Sequence, residues 1–178
     1  MVMPGTAERW TAAEVRALPD DGNRYELIDG ELLVTPAPRG VHQIALAALF
    51  RRLDRAGGPG KVVWSPADIS LGEDEILQPD LFVCLTAGSG PLIEWTDITG
   101  LLLVIEVLSP STARYDREVK RRRYQRAGVP EYWVVDTAAR RIERWRPEDA
   151  HPEVLADRIR WEGVDIDLHE LFTEIWGR

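Results

Sequence analysis

The sequence predicts an α/β fold, a mixed sheet flanked by helices, on three observations. Residues 101–108, LLLVIEVL, are apolar apart from Glu106, the pattern of a strand buried on both faces at the centre of a sheet. Beyond it, Ser111 or Thr112 can cap a helix that Gly128 and Pro130 stop, and EYWVVD at 131–136 reads as a second buried strand. Strand, helix and strand at this spacing imply a right-handed crossover between parallel neighbours. Upstream, VVWSPADISL and ILQPDLFVCL flank GEDE and read as an antiparallel hairpin, which makes the sheet mixed.

The other elements follow from local signals. Thr11 is placed to cap a short helix, AAEVRAL, closed by the turn PDDGN. YELIDGELLV reads as two strands around Asp29-Gly30, a dipeptide favoured in tight hairpin turns. In VHQIALAALFRRLDRAG the apolar residues at 41, 44, 45, 48, 49 and 53 have a helical period, and glycines end the run. IERWR is expected as a strand at the sheet edge, and DLHELFTEIW as a closing helix.

Composition bounds the function. A chain of 178 residues, 44% hydrophobic and 29% charged, suits a single domain over 1–178. No apolar stretch is long enough to span a membrane, and MVMPGTAERW lacks a secretory layout, so a cytoplasmic location is expected. Cys84 has no cysteine to pair with and reads as core packing. The net charge of −8 argues against nonspecific coating of nucleic acid. Charge is uneven, however: RYDREVKRRRYQR at 114–126 holds seven basic side chains against two acids. That helix is either a solvated face or a surface for a polyanion.

Three charged residues stand out. An ionised Glu106 inside its strand costs several kcal/mol unless a cation, donors or a metal compensate it. Asp80 follows Pro79, and proline inside a strand implies an edge or a bulge that re-aims a carboxylate. If their strands are neighbours, the two acids meet, and carboxylates with a backbone carbonyl form an oxygen set for Mg²⁺. The alternatives are a salt bridge to arginine for Glu106 and a turn cap for Asp80. Of the 22 basic residues only Lys61 and Lys120 are lysine. A lysine within an arginine-rich helix is either a chance retention or is kept for its compact ammonium. Asp116, Lys120 and Tyr124 recur every fourth residue and share a helical face.

QPD, then a strand ending IEVLSPST, then D-x-x-x-K on a helix, then AGVPEYWVVD, resembles the putative restriction endonuclease family of the PD-(D/E)XK nuclease superfamily. The likeness also takes in RYELIDGELL and the helix start VHQ, and thins after IERWR. It implies a restriction-endonuclease-like αβββαβ core, here with an N-terminal β-hairpin addition. It also implies a Mg²⁺-dependent endonuclease of DNA, Mn²⁺ substituting, in which Asp80 matches the PD aspartate and Glu106 the (D/E)XK acid. Leu108 stands where the standard motif has its lysine, and Lys120 is the matching position on the next helix. Asp80, Glu106 and the Val107 carbonyl would hold the metal, with Lys120 on the water or phosphate. Gln78, Glu26, Glu31, His42, Asp116 and Tyr124 are ranked as support. Arg114, Arg117 and Arg121 are the candidate nucleic-acid contacts, and a homodimer is expected.

Other chemistries lack their motifs. GSG at 88–90 has no P-loop context, Ser109 and Ser111 have no nucleophile elbow, and His151 and His169 show no metal-ligand spacing. Two carboxylates also suit glycoside hydrolysis, which gives the lysine no role. The rival is a nuclease-like fold kept as a binding or assembly module without catalysis. Under the metal reading, Glu106→Gln is expected to lose divalent-ion binding, keep the fold and gain metal-free stability.

Overall fold

The computed structural model describes residues 9–35, 37–55, 60–64, 67–72, 74–87, 92 and 94–177. Backbone contacts divide the chain into two units, one drawn from Met1–Ala37 and Asp68–Gln78, the other from Pro38–Ala67 and Pro79–Arg178. None of the helices among the described residues is long and apolar enough to cross a membrane.

In the first unit, Thr11 and Glu14 exchange side-chain and backbone hydrogen bonds in a capping box that starts helix α1, Ala12–Arg16. Strands β1 (Arg24–Ile28) and β2 (Glu31–Thr35) pair antiparallel across Asp29 and Gly30, whose φ values of 53° and 81° are those of a type I′ turn. Ala12, Val15, Leu27 and Ile76 form its small core.

The second unit is built on a six-stranded sheet in the order β3-β4-β5-β6-β7-β8. Its strands are β3 (Lys61–Trp64), β4 (Leu81–Thr86), β5 (Ile98–Val107), β6 (Glu131–Asp136), β7 (Arg141–Trp145) and β8 (Glu153–Leu155). Helix α2, Gly40–Arg55, precedes β3. A helical run crosses from β5 to β6: α3 (Ala113–Tyr115), a π turn (Asp116–Lys120) and α4 (Arg121–Arg126). Gly128, at φ 73°, then takes the left-handed position that ends the helix. β5 and β6 are parallel and the other pairs antiparallel, so α2-β3-β4-β5-helix-β6 is the expected αβββαβ order. Helix α5, Leu168–Trp176, capped by Asp167, closes the chain.

Alternation along the strands sorts the two faces of the sheet. Leu81, Val83, Leu103, Ile105, Val107, Trp133 and Val135 join buried residues of α2 and α5 in the main core, with Cys84 also buried. Phe82, Val104, Glu106, Tyr132 and Val134 point to the opposite face.

One sequence reading holds and two need correction. β3 and β4 pair antiparallel and Ile69 bridges Leu77 on either side of GEDE, as the hairpin reading expects, while Ile76 bridges Leu27 of β1 within the first unit. Pro79 has no N–H to offer a ladder, so Asp80 stands just before the start of β4 rather than in a bulge; the register shifts of β4 lie farther on, at Val83/Cys84 and Leu85/Thr86. IERWR is not at the edge, since β8 pairs outside it, Ile142 with Leu155. The hairpin of β9 (Arg158–Trp161) and β10 (Val164–Asp167) was not anticipated.

Candidate active site

β5 lies in the middle of the sheet, and side-chain alternation turns Glu106 away from the main core, towards the face crossed by the α3–α4 run. The β4–β5 register pairs Leu81 with Ile105. Continued by one residue, it sets Asp80 across from Glu106. Both acids are buried, at 3% and 2% exposure. Asp80 Oδ2 accepts the backbone N–H of Val107 at 2.9 Å and lies 2.9 Å from Nε2 of His42, which comes from the first turn of α2. His42 is thereby tied to the site, although its sequence position suggests only support.

Lys120 completes the group. Its Nζ donates to Glu106 Oε1 at 3.0 Å and lies 3.8 Å from Asp116 Oδ1. Asp116 and Lys120 are each 2% exposed. Leu108 leaves no amine on the strand, and the one that reaches Glu106 comes from the π turn. The arginine partner considered for Glu106 is therefore replaced by this lysine.

Tyr132 was missed in the sequence. It pairs with Val104 in the β5–β6 register, two residues from Glu106 on the same face. Its hydroxyl donates to the Asp116 carbonyl at 2.9 Å, and its ring stacks on Tyr124 with centroids 5.2 Å apart. Burial first, then the charges of Glu106 and Asp116, push its phenol well above 10.0. The available signal was a phenol inside an apolar strand, which requires a hydrogen-bond partner.

The remaining candidates have partners of their own. In the first unit, Glu26 is buried and accepts the Gln78 N–H at 2.8 Å, Gln78 Nε2 donates to Asp68 at 2.8 Å, and Glu31 is exposed at the start of β2. Arg114 is exposed and pairs with Glu118 at 3.1 Å. Arg117 donates to Glu143 at 2.7 Å and Asp136 at 3.3 Å, and the Glu143 bond raises its pKa. Arg121 donates to the Arg117 carbonyl at 2.8 Å and lies 4.4 Å over the Trp145 ring.

Two carboxylates and the Val107 peptide, a set of hard oxygen donors, suit Mg²⁺ or Mn²⁺ better than Zn²⁺. Among the described residues no three His, Cys, Asp or Glu side chains gather as a metal cluster. Mg²⁺ does not require one, since it is commonly held by one or two carboxylates and waters. The residues fit such an ion.

A family model, Uma2, described as putative restriction endonuclease, matches residues 12–176. The chain belongs to the Uma2 family. The Uma2 match takes in both units and all of the buried group around Glu106, and it bears out the resemblance seen in QPD, IEVLSPST and D-x-x-x-K. A solved structure of a putative nuclease from Anabaena variabilis is similar in fold, with a TM-score of 0.75 at 17% identity, over 93% of this chain and 99% of that one. No curated protein matches. Uma2 membership puts the chain in a nuclease family with a restriction-endonuclease-like fold.

Proposed function

We propose that this protein is a Mg²⁺-dependent endonuclease that hydrolyses phosphodiester bonds in DNA, with Asp80, Glu106 and Lys120 as its catalytic residues. The observation that carries this reading is the Lys120 amine 3.0 Å from Glu106 in a site where Val107 also binds Asp80. Asp80, Glu106 and the Val107 carbonyl would hold the ion. When bound, it supplies an acidified water and offsets charge on the phosphate, and Mn²⁺ serves as well. His42 and the Val107 N–H fix the Asp80 carboxylate through one oxygen. Lys120 donates to a phosphate oxygen or orients the attacking water, as a point charge that a planar guanidinium does not replace. Asp116, 3.8 Å from that ammonium, helps to turn it towards Glu106.

DNA would run along the exposed side of the α3–α4 run past Arg114. Exposed Trp95 and Trp176, at 42% and 47%, support a homodimer. The protein would work in the cytoplasm.

Incubation of plasmid DNA with the purified protein tests this. Nicking should require Mg²⁺ or Mn²⁺, disappear in Glu106→Gln and Lys120→Ala, and stay absent in Lys120→Arg. Cleavage by Lys120→Ala at the wild-type rate would overturn it. One observation favours the rival, a module that binds without cutting: Lys120 closes on Glu106 with side chains only 3% and 2% exposed. Metal-dependent DNA binding without nicking would identify that rival.

A further inference from the structure

Lys120 ends a turn that departs from α-helical geometry. The Arg121 N–H reaches back five residues to the Asp116 carbonyl, where an α-helix would use the carbonyl of Arg117. Two side chains meet the carbonyls around this step. Arg121 Nε donates to the Arg117 carbonyl at 2.8 Å, and the Tyr132 hydroxyl donates to the Asp116 carbonyl at 2.9 Å.

Both side chains are themselves held. The Arg121 guanidinium lies over Trp145 of β7 and donates to Gln125 at 2.6 Å, and Gln125 is bonded in turn to the Arg146 and Asp149 carbonyls. Tyr132 is 1% exposed and stacks on Tyr124.

The widened turn has a geometric use. At about 100° per residue, four α-helical steps overshoot a full turn by about 40°, so an unbroken helix would swing Tyr124 about 80° away from Asp116. A turn with an extra residue absorbs the excess, and Asp116, Lys120 and Tyr124 are all buried. π turns inside helices are frequent at functional sites.

We propose that Arg121 and Tyr132 are positioning residues whose bonds to the Arg117 and Asp116 carbonyls hold this turn open and so set the Lys120 amine on Glu106. Arg121 then serves the site from within the protein rather than by touching phosphate. The consequence for cleavage rests on the nuclease reading; the placement of the amine does not.

Three variants test it. Arg121→Met keeps a long stem over Trp145 without a donor, Tyr132→Phe keeps the ring stack without the hydroxyl, and Arg122→Met removes an exposed neighbouring charge. Lysine acylation without metal, read by mass spectrometry, is direct because Lys61 and Lys120 are the only lysines and Lys61 serves as reference. Lys120 should react slowly in the wild type and in Arg122→Met, and clearly faster in Arg121→Met and Tyr132→Phe. Single-turnover cleavage at saturating DNA should fall about a hundredfold in those two variants, the scale of a 1 Å misplacement, with the Kd for DNA unchanged.

Wild-type protection of Lys120 in both variants would overturn the proposal. So would an Arg121→Met that keeps this protection but binds DNA more weakly, which would make Arg121 a phosphate contact. If Arg121→Met does not fold, acylation of Tyr132→Phe decides alone. A wild type that cuts no DNA defeats the nuclease reading, and the acylation result still decides this one.

Discussion

Glu106 and Lys120 pair at 3.0 Å with both side chains buried, so removing either charge deprives the other of its main partner. Glu106→Gln should therefore lower metal-free stability by about 3 kcal/mol, the lower end for breaking a buried pair because Asp116 remains 3.8 Å from the amine. This reverses the gain expected from sequence, which did not include the lysine as partner. Glu106→Gln combined with Lys120→Met should cost less than the two single losses added, by about 1–3 kcal/mol in a denaturant double-mutant cycle. Tyr132 gives a pH prediction. Its folded pKa lies well above the 10.0 at which an unfolded phenol loses its proton, so its contribution is intact below pH 10 and drains away as pH rises further. Tyr132→Phe should cost about 1 kcal/mol at pH 7 through the lost bond to Asp116, and the gap between its melting curve and that of the wild type should narrow above pH 10. Asp80, Glu106 and Lys120 were legible because each breaks a pattern: an acid in a greasy strand, an acid after a proline, a lysine among arginines. The signals of His42 at a helix start and Tyr132 in an apolar strand are weaker, and only the fold brings the two side chains to the acids and the Asp116 carbonyl.

At the scale of elements, the basic helix divides its arginines between two tasks. Arg114 faces solvent, while Arg117 and Arg121 are tied to Glu143, Asp136 and Trp145. Arg114→Gln should make the salt dependence of DNA binding shallower by about one unit. Arg117→Gln should instead lower the melting temperature and leave that slope nearly unchanged, as read by fluorescence anisotropy across a salt series. Long periodic elements, α2, β5 and β6, were legible because each has a full apolar face or core run. EVL in β8 and the β9–β10 hairpin RIRW and VDID were not. Each is only three or four residues long, and the charges Arg158, Arg160, Asp165 and Asp167 are neutralised by cross-strand pairing rather than marked by hydrophobicity. Ile69 and Leu77 pair locally, as the strand pattern on either side of GEDE predicts, while the bridge from Ile76 to Leu27 is a long-range choice that no local pattern records.

For the whole molecule, an ion bound only by the folded state raises its stability. Millimolar Mg²⁺ or Mn²⁺ at about 100 times Kd adds about 2.7 kcal/mol, which in a chain of this size is about 5 to 10 °C in Tm. Differential scanning fluorimetry should show that shift in the wild type and not in Glu106→Gln; a flat wild-type response would count heavily against the ion site. The bond from the Val107 N–H to Asp80 ties the end of β5 to the start of β4. An amide held there, on a central strand of a six-stranded sheet, should trade its proton for deuterium far more slowly than exposed amides. The isotope retained at Val107 thus reports how often the site itself opens. Conditions that erase it should erase activity at the same rate, and refolding should restore both together.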